Sequence, residues 1–379
     1  MRLSELQQER LRRARSFADG ELAPNATLVD QSDTTPAALL ETVRREGLLG
    51  RALPAEWGGG GYDPVSHGVE LAEVGRVSST LRSLLTVHDM STQAVLRFGT
   101  QAQKAELLPH LCSGEKLIAF ALTEPESSSA TQVLQTRAAR EGRDLILTGV
   151  KTWVTFGAVA DCFLVFADCE GRSVALVVER NTPGIEVLPI HDVLGTRGSM
   201  LASIRFHGVK VPKDRQIGAD GAGINFVASV ALDQGRFSVA WGSVGILAAC
   251  LHACVSYAKL RAQGDAKLGD HQLVKRQLAD MLVEHSAARA LCMRAACLRA
   301  ERDPRSPMET SLAKYHASAS AMRVAAAAVH LHGANGCSSD YPVSRYLRDA
   351  TIMGIVEGTH EMHQLALGSY ALREPYFLD

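Results

Sequence analysis

The chain has 379 residues, with 40 Lys and Arg against 41 Asp and Glu, and is 46% hydrophobic but only 5% aromatic. At about 150 residues per domain, that length supports two to three structural units. A formal net charge of −1 lacks the basic excess that binding to a phosphate backbone needs, so nucleic acid is not an expected partner.

The first 22 residues are charged and periodic and do not have the form of a secretory signal. No apolar run is expected to approach the roughly 18 residues that span a bilayer, so the expectation is a cytoplasmic protein without a membrane partner. From 1 to 118 the pattern is helical: Leu39, Leu40, Val43 and Leu48 precede a PAEWGGGGYDP loop, and 69–75, 91–98 and 103–111 repeat the helical period. From 119 to 221 the period shortens to β-rich runs at 144–148, 162–167, 173–178, 185–189 and 203–206, separated by EGR, EGR, NTPG and HGVKVP turn chemistries. From 222 to 379 long helices return, over 224–262, 271–302 and 311–332, the last stopping at Gly333. Gly242, Gly245, Ala248 and Ala249 suit close helix crossings in a four-helix bundle. The expected class is α+β: an N-terminal helical domain, a middle β-barrel or sandwich, and a C-terminal helical bundle. Eight cysteines are scattered through apolar segments without metal-ligand spacing and read as small core residues, so neither a disulfide framework nor a metal site is expected. WGGGGYD follows no strand and lacks a GK[ST] ending, so neither a Rossmann nor a P-loop fingerprint is present.

Four segments carry chemistry in a fixed order. Phe120-Ala121-Leu122-Thr123-Glu124-Pro125 opens the β unit, and Gly149-Val150-Lys151-Thr152-Trp153-Val154-Thr155 follows about thirty residues later. Arg345-Tyr346-Leu347-Arg348-Asp349-Ala350 and then Ile355-Val356-Glu357-Gly358-Thr359 stand near the end. In this order the sequence resembles the acyl-CoA dehydrogenase family of flavoenzymes, over about residues 35 to 371.

The resemblance implies FAD as cofactor and a three-domain fold. The TEP and KxWxT segments flank the isoalloxazine in that family, which assigns Leu122, Thr123, Trp153 and Thr155 to the ring; fixed donors there stabilise the charge of a reduced flavin. Glu357 falls on the family's catalytic base, which takes the proton α to a thioester while hydride leaves the β-carbon. That work needs a carboxylate whose pKa a dry site has raised. Arg236 matches an arginine that orders the active site, and Asp233 faces the substrate or, alternatively, pairs with arginine to cap the long helix. Val356 replaces an aromatic residue and leaves room beside the base, while Gly358 and Thr359 approach the flavin closely. Arg261 matches the arginine that reaches the FAD pyrophosphate of a neighbouring subunit, implying a homodimer at minimum or a homotetramer. Gln263, His330 and Gly333 take the neighbouring cofactor positions, and Ser129 remains as a phosphate ligand where the usual glycine-serine-aspartate has become Ser128-Ser129-Ala130. Gly264 and Asp265 also depart from the family pattern; an aspartate beside a pyrophosphate repels it unless the loop turns outward.

Closer similarity to FkbI-type dehydrogenases of polyketide extender-unit pathways lies in Ser78-Ser79-Thr80-Leu81-Arg82-Ser83 with its continuation from Thr86 to Met90, in the segment from Gly235 to Leu247, and in Leu268-Gly269-Asp270-His271-Gln272-Leu273-Val274. That branch implies a short polar acyl thioester, of glyceryl or seryl type, on an acyl carrier protein, oxidised towards a hydroxymalonyl or aminomalonyl unit. Ser238, Trp241 and Ser243 then line the pocket or serve packing. Two alternatives stand beside it: a short-chain acyl-CoA dehydrogenase passing electrons to an electron-transferring flavoprotein or oxygen, and a flavin-poor binding or scaffold relative.

Overall fold

Short polar residues set the starts of the first helices. In a computed structural model, which describes residues 2–126 and 133–373, Ser4 and Gln7 form a reciprocal cap on α1 (Glu5–Phe17). α2 (Ala23–Ser32) and α3 (Ala37–Arg45) follow. Asp63 accepts from Val65 N and Ser66 N to cap α4 (Pro64–Val77), and Ser78 caps α5 (Ser79–Phe98). A Thr100–Gln103 box starts α6 (Gln101–Ser113), and Gly114 ends it with φ +73°.

The middle unit is an eight-stranded sheet. Its strands are β1 (Ile118–Ala121), β2 (Arg137–Glu141), β3 (Asp144–Val154), β4 (Cys162–Cys169), β5 (Arg172–Glu179), β6 (Ile185–Pro189), β7 (Ala202–Pro212) and β8 (Gln216–Ile217). The path runs β6-β7-β3-β2-β4-β5-β8, with β1 parallel to β4. β4 is buried on both faces: Phe163, Val165 and Ala167 pack with Leu147, Ile204 and Phe206 inside the folded sheet. Cys162, Leu164 and Phe166 face Ala94 and Val95 of α5 and Leu107 and Leu108 of α6. One strand was not expected and one expected turn is not a turn. RAARE forms β2, and HGVKVP, read as a turn, lies inside β7, where Gly208 at φ +64° adjoins the register shift opposite Leu147 and Gly149.

The C-terminal unit comprises α7 (Ser229–Leu260), a small hairpin of β9 (Ala262–Gln263) and β10 (Ala266–Lys267), α8 (Gln272–Ala300), α9 (Ser306–His332), α10 (Val343–Met353) and α11 (His360–Arg373). α7 is its axis, and α4 and α5 of the first unit also pack on it. Glycines permit this. A Cβ at Gly68 would lie 2.3 Å from the Trp241 ring, at Gly75 2.8 Å from Gly242 Cα, and at Gly245 2.2 Å from Ala72 O. The buried thiols of Cys250, Cys254 and Cys292 belong to this core. One expectation from composition needs correction: residues 223–260 form a helix long and apolar enough to cross a membrane, with 72% of its apolar window buried inside the protein. Packing against α4, α5, α8, α9 and α10 explains that composition.

The α+β order expected from sequence is thus present. The middle unit reaches the helical ones through residues 192–200. Thr80 Oγ1 donates to Arg197 O at 2.6 Å, Thr196 N to Asp349 Oδ1 at 2.7 Å, and Arg348 binds Asp30 and Leu194 O.

Candidate active site

The turn between α10 and α11 presents Glu357. Its φ is +57°, and Gly358 follows at +98°. A left-handed glutamate costs about 1 kcal/mol or more, and its surroundings must hold it there. They do so through backbone carbonyls. Arg236 Nε donates to Glu357 O at 3.4 Å, His363 Nε2 lies 3.3 Å from the same oxygen, and Lys314 Nζ donates to Gly358 O at 2.6 Å. Carboxylate Oε2 is enclosed and has no hydrogen-bond partner among the described residues. A Cβ at Gly235 of α7 would lie 2.4 Å from Oε2, so glycine is what lets the acid rest against this helix.

Burial pushes the Glu357 carboxyl up to about 7, against the opposing pull of Arg236, Lys314 and Arg82. Burial also lowers Lys314 to about 8 and His363 to about 4, the latter assisted by the Lys314 and Arg236 charges. His363 is therefore a neutral ring that donates to the Glu357 carbonyl. Val356 packs half-buried against the helical core, and the Thr359 hydroxyl accepts from Met362 N at 3.5 Å.

The TEP and KxWxT segments belong to the sheet. Lys151, fully buried on β3, donates to Leu122 O at 3.0 Å and to Glu124 Oε1 at 2.8 Å, while Thr152 N donates to Thr123 O at 2.9 Å. Glu124 also accepts from Gln135 N and Thr136 N. These bonds join the end of β1 to the end of β3 and bring Leu122, Thr123, Trp153 and Thr155 to one edge. Trp153 has φ +55° and leaves 57% of its surface exposed, an unusual placement for an indole held on a rigid strand end. An uncovered flat ring bordered by the half-buried Thr123 and Thr155, together with an enclosed unpartnered carboxyl, fits a flat, hydrogen-bonding cofactor such as a flavin. Ser129 lies outside the described residues.

At the far end of α7 a cavity of about 250 Å³ gathers Arg261, Gln263 and Gly333 with Tyr257, His332 and Asn335. His330 stands exposed on α9 and is not among its lining residues, while His332, two residues further on, is. His332 stacks on Tyr257 with ring centroids 4.2 Å apart, and Asn335 Nδ2 donates to Tyr257 OH at 2.9 Å. Asp265 is exposed and does not line this cavity. Asp233 lines a separate cavity of about 530 Å³ with Arg97 and Arg299, and its carboxylate pairs with Arg299 of α8 at 2.6 Å, not with Arg236.

Sequence reasoning did not single out Lys314, His363, Lys151 or His332 as site residues. A lysine within the Ala- and Ser-rich run of α9 was the available signal for the first.

Comparison with known proteins bears directly on this geometry. The N-terminal, middle and C-terminal domain models of acyl-CoA dehydrogenases match residues 4–115, 119–209 and 221–371. The chain belongs to the acyl-CoA dehydrogenase family. An acyl-CoA dehydrogenase of Bacillus subtilis (strain 168) is 37% identical over 94% of this chain and 96% of that protein. Butyryl-CoA dehydrogenase from Megasphaera elsdenii superposes with a TM-score of 0.94 at 34% identity, covering 98% and 99% of the two chains. FkbI, described as serving biosynthesis of the methoxymalonyl extender unit of the polyketide Fk520, superposes at 0.88 with 33% identity, covering 97% and 100%. The chain is accordingly a flavin-dependent oxidoreductase of acyl thioesters, with FAD as the family's cofactor.

Proposed function

We propose that this acyl-CoA dehydrogenase oxidises a short, oxygen-bearing acyl group, of glyceryl or seryl type, carried as a thioester on an acyl carrier protein. The observation that carries the reading of the site is the enclosed Glu357 carboxyl, without a partner, against the bare backbone of Gly235. A base near pH 7 in a dry pocket is matched to removing a proton from the carbon α to a thioester, or from a C3 hydroxyl. Bound FAD supplies the hydride acceptor.

In this reading Arg236, Lys314 and His363 fix the turn, so the carboxylate needs no reorganisation to meet the acyl group. Leu122, Thr123, Trp153, Thr155 and Thr359 hold the ring edge, while Gly358 and Val356 border the acyl group. Arg261, Gln263 and Gly333 take the adenine side from a second copy of the chain, which makes a homodimer the smallest complete unit. Asp233, on the wall of the 530 Å³ cavity, meets the pantetheine arm. Likeness to FkbI and the small Val356 support the short polar acyl group.

The second reading is a short-chain acyl-CoA dehydrogenase that passes electrons to an electron-transferring flavoprotein, favoured by the likeness to butyryl-CoA dehydrogenase. Anaerobic bleaching of the bound flavin separates the two. Glyceryl- or seryl-loaded carrier protein is expected to bleach it faster than butyryl-CoA. Bleaching by butyryl-CoA alone removes the carrier-protein reading.

A further inference from the structure

Helices α5 and α7 face each other across a ladder of unusual side chains. Arg82, Thr86 and Met90 follow one another at four-residue spacing on α5, and Gly235, Ser238 and Gly242 share the opposing face of α7. On the first rung Met90 Sδ and the Glu357 carboxyl both crowd Gly235. On the second, Thr86 Oγ1 and Ser238 Oγ share a hydrogen bond of 2.6 Å. On the third, the Arg82 stem lies against Gly242, where a Cβ would come within 2.8 Å of its Cδ and Nε.

Arg82 is only 2% exposed, yet it forms no ion pair among the described residues. Nη1 donates to Thr86 Oγ1 at 2.9 Å, Nη2 reaches the weak acceptor Met353 Sδ at 3.2 Å, and Nε is buried without a partner among the described residues. Asp349, the other carboxylate that influences it, accepts from Thr196 N through Oδ1 and forms no ion pair with Arg82 among the described residues. A guanidinium with five N–H groups and two such contacts is costly to bury, and a bound acceptor would offset that cost. Because Nη1 reaches forward to Thr86 while Nε lies against Gly242, the cation stands between the second and third rungs, more than one helical turn, or roughly 6–9 Å, from the rung of the Glu357 carboxyl. A three- or four-carbon acyl group spans that gap.

We propose that Arg82, oriented by the Thr86–Ser238 hydroxyl pair, is the specificity determinant of this pocket and binds an oxygen on the third or fourth carbon of the acyl group. The proposal rests on Glu357 marking the reacting end. An acyl group with that oxygen satisfies donors that a hydrocarbon leaves unpaired, a difference that gives large discrimination in polar pockets. A longer fatty chain runs into the guanidinium.

The test uses FAD-loaded enzyme and pantetheine thioesters of glyceric, succinic and butyric acids, so that the handle is constant. The readout is kcat/KM for glyceryl and for succinyl, each divided by that for butyryl. In Arg82→Met at least one ratio is expected to fall tenfold or more, and the one that falls tells whether hydroxyl or carboxylate is the acceptor. Both ratios staying within twofold of the parent overturns the proposal. Arg82→Lys keeps the buried cation but loses the fork; it reads the same ratios, with the same two outcomes, if Arg82→Met yields no folded holoenzyme. Glu357→Gln run alongside separates the failures. If it turns over normally, the base assignment falls. If it is inactive while the Arg82 ratios are unchanged, only the role of Arg82 falls.

Discussion

At the scale of single residues, the molecule places one acid where an acid is unstable. The folded chain holds the Glu357 proton to about pH 7, while its ordinary value is 4.5. Between those values the folded state binds more protons than the unfolded one, so this group lowers stability as pH rises through the window. Glu357→Gln, a neutral copy of the protonated form, should match the parent in thermal stability at pH 4 and exceed it at pH 8, by at most about 3 kcal/mol. A melting-temperature difference that does not widen with pH argues against an enclosed carboxyl. Activity follows the opposite sign, since the base works deprotonated: kcat/KM should fall about tenfold per pH unit below pH 7 in the parent. A flat profile down to pH 5 would assign the proton to another group. Glu357, Trp153 and Thr155 were legible because each stands in a short motif with its neighbours. Arg82, Lys314 and His363 were not legible as site residues, because each acquires its role from a partner distant in sequence or from a turn whose φ values no local pattern reveals.

Secondary-structure elements show the same division. Helices with regular apolar spacing, such as α8 and α9, are readable from sequence to within a few residues at most ends. α5 was read only from residue 91 onward, because its buried face carries Ser79, Thr80, Arg82, Thr86, His88, Asp89, Ser91 and Thr92. A polar stripe of that length reads as solvated until a polar pocket is known to face it. β2 escaped for a related reason: of RAARE only Ala138 is buried, so the pairing with β3 has little apolar signal behind it. Close helix approach is the energetic counterpart. At Gly245 the atoms that a Cβ would meet are backbone, Ala72 O at 2.2 Å and Arg76 N at 2.6 Å, which cannot swing aside as side chains do. Gly245→Ala is expected to separate α4 from α7 and to destabilise by about 1–3 kcal/mol, read as a lower urea midpoint. An unchanged midpoint would show that the crossing is looser than the structure has it.

On the scale of the whole molecule, the two regions proposed to meet the cofactor lie at opposite ends of one helix. The Glu357 turn touches Gly235 near the start of α7, and the cavity of Arg261, Gln263 and Gly333 lies at its end. Removing the distal cation should therefore weaken retention of FAD without disturbing the acid. Arg261→Met is expected to purify with at least tenfold less flavin per chain, measured from the visible and ultraviolet absorbance, and to keep its fold by circular dichroism. Full flavin content in that variant would place the pyrophosphate elsewhere. The distal cavity was partly readable from sequence, through Arg261 and the Gly333 stop; its aromatic wall of Tyr257 and His332 depends on a stacking between helices that no single segment encodes.

The helix from Gly235 to Leu260, 26 residues ending just before Arg261, is about 38 Å long, and every residue in it advances the screw by about 100°. The two ends are therefore locked in phase like throws on a crankshaft. One amino acid added or deleted anywhere between them would turn one end by more than a quarter of a revolution against the other, so drift in length is confined to the connecting loops while this span must keep its count.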